Sequence, residues 1–110
     1  PNSPYTPDAL ARMAYIKASL ARHELDIAKF YFKRDAYVAT ANRVVSMLKL
    51  YPDTQATLDA LPLMKESYER MNLKQLADQT AQIIAANEGK KFDEPEKPKE
   101  PELKAPSAVQ

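Results

Sequence analysis

The sequence predicts an all-α fold of two antiparallel helical hairpins followed by an extended tail, and three observations carry that reading. Apolar residues recur at helical spacing in four successive runs, no stretch keeps the alternation of a strand, and proline, aspartate and asparagine mark the breaks between runs. The connections are short, so successive helices become antiparallel neighbours.

Thr6-Pro7-Asp8 opens the first helix. A threonine oxygen caps free N–H groups, proline suits the first turn, and an acid favours the positive end of the helix dipole. Leu10, Met13, Ile16, Leu20, Ile27 and Tyr31 follow at helical spacing with no proline or glycine before Asp35, giving one long helix over about 7–33. Tyr37, Ala41, Val44, Leu48 and Tyr51 form a second stripe, over 36–50, which Pro52 ends because it lacks an amide and disfavours helix in the preceding residue. Asp53 or Thr54 caps a third helix over 55–71, with Leu58, Leu61, Met64, Tyr68 and Met71 on its apolar stripe and an expected kink at Pro62. Leu73, Leu76, Ala77, Thr80, Ile83 and Ile84 mark the fourth, over 73–86. The helical part thus occupies residues 1–87. Residues 88–110 are rich in proline, glutamate and lysine, with six acidic and five basic side chains, and read as a disordered, extended tail whose apolar anchors are Phe92 and Leu103.

Composition narrows the function. At 110 residues the chain holds one small domain or a few repeats, and a formal charge of +1 does not point to nucleic acid. The single glycine, Gly89, cannot supply the loops that let backbone approach phosphate. With no cysteine and one histidine, a thiolate zinc site, a cysteine nucleophile or a histidine-rich metal cage is excluded, so no cofactor or metal is expected. Ser19, His23 and Asp26 share one helix face, but a single helix builds no oxyanion hole, and they read as a solvated face. Neither His-Glu-x-x-His nor a Glu-x-x-His pair for a di-iron bundle is present.

Sliding the chain on itself by 37 residues places Glu24, Ile27, Tyr31, Thr40, Val44 and Met47 over Leu61, Met64, Tyr68, Ala77, Ala81 and Ile84, and Asp35 over Asn72. These offsets follow the tetratricopeptide repeat, in which large residues of the first helix interlock with small ones of the second, so the fold reads as an α-solenoid fragment. Glu24 departs from the pattern, standing where an aromatic is usual; Thr40 and Lys65 depart as well.

The string from Arg43 to Met64, above all Tyr51-Pro52-Asp53-Thr54-Gln55-Ala56-Thr57 and Pro62, resembles the BamD family, tetratricopeptide lipoproteins of the outer-membrane β-barrel assembly machinery. Pro1-Asn2-Ser3, Tyr5-Thr6 and Ile83 to Asn87 extend the likeness over residues 1–87. The resemblance implies a C-terminal portion whose earlier repeats and lipidated cysteine lie in sequence outside it, and a scaffold at the periplasmic face of the Gram-negative outer membrane. It further implies binding to a POTRA domain of BamA, contact with BamC and other lipoproteins of the machinery, receipt of unfolded outer membrane protein precursors, and no enzymatic activity. The alternative is a generic tetratricopeptide peptide-binding module of co-chaperone type. That role calls for a basic clamp, and here the basic residues are dispersed.

Candidate partner-binding residues lie at the first hairpin turn and, for Arg43, beside the apolar stripe of the second helix. Arg34 and Arg43 offer paired donors to a partner's carboxylate, a geometry lysine does not match, and the resemblance places turn and second-helix residues on the BamA-facing surface. Phe30, Tyr31 and Phe32 cannot all face one side of a helix, so at least one ring points away from the core; Phe30, Phe32 and Tyr37 complete the candidate set. On this reading the tail adds no packed core, and deleting residues 90–110 is expected to leave the thermal midpoint unchanged, which a melting curve checks.

Overall fold

The computed structural model describes residues 4–98; residues 1–3 and 99–110, Leu103 among them, lie outside that range. Four helices follow in order, α1 (Pro7–Lys33), α2 (Tyr37–Leu50), α3 (Gln55–Arg70) and α4 (Lys74–Ala86), with no strand among the described residues. The Ala9 amide donates to Thr6 Oγ1 at 3.1 Å, so the predicted threonine caps α1, with Pro7 and Asp8 in its first turn.

The turns α1–α2 and α3–α4 are built alike. Asp35 at φ 59° and Asn72 at φ 61° occupy the left-handed region, where a short polar side chain is tolerated better than most. The Asp35 and Ala36 amides donate to the Phe32 and Tyr31 carbonyls, each at 3.0 Å; the Asn72 and Leu73 amides donate to Glu69 at 3.0 Å and Tyr68 at 2.9 Å. Both are Schellman caps, satisfying carbonyls that the end of a helix would otherwise leave open. They lie 37 residues apart, the repeat step read from the sequence.

The α2–α3 connection uses hydroxyls instead. Thr54 and Thr57, both buried, point their Oγ1 atoms at the Tyr51 carbonyl from 2.9 and 2.8 Å, and the Thr57 amide donates back to Thr54 Oγ1 at 3.3 Å. Thr54, rather than Asp53, is therefore the N-cap of α3. Pro62 sits on the exposed side of α3, which neither stops nor restarts there; having no amide, it cannot donate to the Leu58 carbonyl.

Ala21, Leu25 and Ala28 of α1 meet Ala41, Val44 and Met47 of α2 and Ala56, Ala60, Leu61 and Met64 of α3 in one core. α1 packs on both α2 and α3, while α4 packs on α3. The stripe Leu10, Met13, Ile16 and Leu20 is not part of this core: each remains between 44 and 55% exposed. Length explains the difference. At about 1.5 Å per residue α1 is nearly twice as long as α2, so its N-terminal half overhangs the hairpin. Where α2 and α3 do reach α1, alanines rather than large residues admit close approach.

Beyond α4, residues 90–98 form neither helix nor strand. They nevertheless touch the helices: the Phe92 amide donates to Gln55 Oε1 at 2.9 Å, and Glu94 pairs with Arg22. Removal of residues 90–110 is therefore expected to lower the midpoint slightly, not to leave it unchanged.

Asn72→Ala is expected to cost about 1 kcal/mol in chemical denaturation, since alanine lacks the tolerance for positive φ, whereas Asn72→Gly should match or exceed the parent stability. Thr54→Val should cost about 1–2 kcal/mol by stranding the buried Thr57 amide; Thr57→Val should cost less, because Thr54 still reaches the Tyr51 carbonyl.

Candidate functional site

The first hairpin turn presents side chains on two sides. Phe30 and Phe32 are two residues apart on α1, which sets them about 200° apart around the helix. The five candidate residues accordingly do not form one patch.

On the first side, Phe30 is half exposed and its ring meets Tyr31 edge-on, centroids 5.7 Å apart. The Arg34 guanidinium lies 3.5 Å from the Phe30 ring centroid, and its Nη1 donates to the Phe30 carbonyl at 3.1 Å. That single residue covers an aromatic face and closes an open helix carbonyl. Arg43, from α2, lines a shallow depression with Asp26, Ile27, Phe30 and Tyr31. Its Nη1 donates to Glu24 Oε1 at 2.8 Å, and this hydrogen bond holds the guanidinium pKa above its ordinary value. Arg43 is thus neither a fully solvated arginine nor one with all donors open. Its carboxylate partner is within the chain, and the side chain keeps a third of its surface exposed.

Glu24 was absent from the sequence-based candidates. Its partner is 19 residues away on another helix, so periodicity could not find the pair. The available signal was Glu24's position, an acid where the repeat normally carries an aromatic.

On the second side, Phe32 and Tyr37 pack edge to face with centroids 5.8 Å apart. Tyr37 Oη donates to Asp35 Oδ1 at 2.8 Å and accepts from Arg70 Nη1 at 3.4 Å, while Arg70 also pairs with Glu66 at 3.2 Å. Arg70, at the end of α3, is the second residue that sequence reasoning missed; only the stacking of one hairpin on the next brings it to Tyr37. The hydrogen bond to Asp35 raises the Tyr37 phenol above its usual pKa of 10.0.

No group of three or more histidine, cysteine, aspartate or glutamate side chains is arranged to hold a metal ion among the described residues. No helix among them is long and apolar enough to cross a membrane. Ser19, His23 and Asp26 are all exposed along one side of α1.

Antiparallel helix pairs joined by matching left-handed turns at a 37-residue step, with their aromatic and arginine side chains displayed at a turn, define a helical-repeat protein of the α-solenoid class. Sequence comparison assigns the particular family. The YfiO family of outer membrane lipoproteins matches residues 1–83, and the chain belongs to it. It is 74% identical over 102 residues to the outer membrane protein assembly factor BamD of Pasteurella multocida, covering 93% of this chain and 39% of that protein. The Haemophilus influenzae BamD is 65% identical over 107 residues, covering 97% of this chain and 41% of its own length. The chain therefore spans about two fifths of these relatives.

Two outcomes follow from the geometry. A double-mutant cycle on Glu24→Gln and Arg43→Gln should give a coupling of about 0.5–1 kcal/mol by denaturation, the scale for a partly exposed pair. Nuclear magnetic resonance titration of the Tyr37 ring should place its midpoint above 10.0, and Asp35→Ala should bring it down. Since the folded-state value is the higher one, this interaction contributes stability below the unfolded pKa and loses it as pH rises through the folded value.

Proposed function

We infer that the chain is the C-terminal helical-repeat part of an outer membrane protein assembly factor of BamD type. It acts as a non-enzymatic scaffold at the periplasmic face of the Gram-negative outer membrane, where the full-length protein is held by a lipid anchor outside these residues. Its repeats bind a POTRA domain of BamA. BamC, other lipoproteins of the machinery and unfolded outer membrane protein precursors are its further partners.

The observation that carries the reading is the first side of the hairpin turn: a half-exposed Phe30 overlaid by Arg34, continuous through Tyr31 with the Arg43–Glu24 pair. Such a patch combines an aromatic anchor with guanidinium donors already held in position, the composition and ordering that interface hot spots favour. Membership of the YfiO family and the names of the relatives support a place in outer membrane protein assembly; BamA as the partner rests on the family resemblance read from the sequence. The co-chaperone alternative gains nothing from the structure. A cleft beside the overhanging half of α1 is rimmed by Asp53, Asp93 and Glu94 against Lys17, a charge balance unsuited to a peptide carboxylate.

Calorimetric titration of the chain with the isolated BamA periplasmic region tests this. Arg34→Glu and Arg43→Glu are each expected to weaken binding by about tenfold or more, with helical content by circular dichroism unchanged. Arg70→Glu, on the second side of the turn, should leave affinity within about twofold. Equal affinity for all of them would remove the first-side patch from the interface.

A further inference from the structure

The segment after α4 returns to the body of the protein. The Asn87 amide, donating to the Ile83 and Ile84 carbonyls, closes α4, and Gly89 at φ 82° turns the chain. Only glycine adopts that backbone readily. Three residues on, the Phe92 amide reaches Gln55 in the first turn of α3 at 2.9 Å, Glu94 pairs with Arg22 in the middle of α1, and Pro95 lies half buried. Between these contacts is a cleft of about 550 Å³. Met13, Ile16 and Leu20 of α1 form one wall, Tyr51 and Ala56 another, and Asp93 to Pro95 a third.

We propose that Phe92–Pro95 is a releasable strap: an intramolecular ligand whose Asp93–Pro95 stretch closes one side of this cleft and, when it lets go, opens that side beside Met13, Ile16 and Leu20, which are about half exposed with the strap docked. The attachment is built to be weak. Arg22 and Glu94 each keep about half of their side-chain surface in solvent, where an ion pair is screened by salt, and the other polar link among the described residues is a single hydrogen bond. Phe92 and Pro95 are half buried rather than locked in the core. Contacts of this kind favour the docked over the released state by about tenfold, not by the thousands that hold the helices. A strap of that strength yields to salt or to any ligand with a stronger claim on the cleft.

Amide hydrogen exchange on the complete chain tests the docking. The Phe92 amide should exchange about tenfold more slowly than in a free peptide. Gln55→Ala should abolish that protection, Arg22→Glu should reduce it several-fold, and Arg22→Glu combined with Glu94→Arg should restore it. Amides within α2 and α3 serve as the folding control and should not change. Binding of an apolar fluorescent dye, 8-anilinonaphthalene-1-sulfonate, should rise in Arg22→Glu and fall back in the charge-swapped pair. Free-peptide exchange at Phe92 in the parent, or no recovery in the swap, overturns the strap; dye binding indifferent to its release overturns the opening of the cleft.

Discussion

Everything else in the fold depends on how closely α1, α2 and α3 approach one another. Ala21, Ala28, Ala41, Ala56 and Ala60 are all at most 3% exposed, and they occupy the contact lines where three helices converge. Small side chains let the helices draw near enough for Leu25, Val44, Met47, Leu61 and Met64 to interlock in the remaining space. A larger residue at Ala21 or Ala60 would hold the helices apart and forfeit those contacts. Ser67, fully buried on α3, has no hydrogen-bond partner for its hydroxyl among the described residues, an unmade bond that costs about 1–3 kcal/mol.

The turns translate that packing into a surface for recognition. The first Schellman cap fixes the backbone of Arg34 and Asp35 relative to α1, and contacts of their side chains then place the polar groups. Arg34 rests on Phe30, Asp35 accepts from Tyr37, and Arg43 is steadied by Glu24. Groups ordered beforehand lose less entropy on association, so the internal pairing of Arg43 and its role toward a partner are compatible. The pairing also carries a cost: a partner's carboxylate must share the guanidinium with Glu24, or take only the donors that Glu24 leaves.

The tail shows how composition and structure weigh the same residues differently. Proline and mixed charge deny residues 88–98 a core of their own, and they form no regular element. Yet Phe92 and Glu94 find partners on α3 and α1, because Gly89 directs the chain back across helices that already exist. Disorder-like composition limits what a segment can build alone; it does not prevent docking on a surface built by others.

Local chemistry was enough to determine the all-α class, the cap at Thr6, the turns at Asp35 and Asn72 and the 37-residue repeat, because each rests on the properties of adjacent residues or on helical spacing. The likeness of residues 43–64 to BamD was legible for the same reason, being a contiguous string. What only the tertiary structure decided are the matters of distance between elements: that α1 buries Ala21, Leu25 and Ala28 while Leu10 to Leu20 stay exposed, that Glu24 meets Arg43 and Arg70 meets Tyr37, and that five candidate residues split between two sides of a turn. A periodic pattern reports which face of a helix is apolar, but not where its neighbour ends. Helix length and packing set that reach, and with it which apolar residues find cover and which charges find partners.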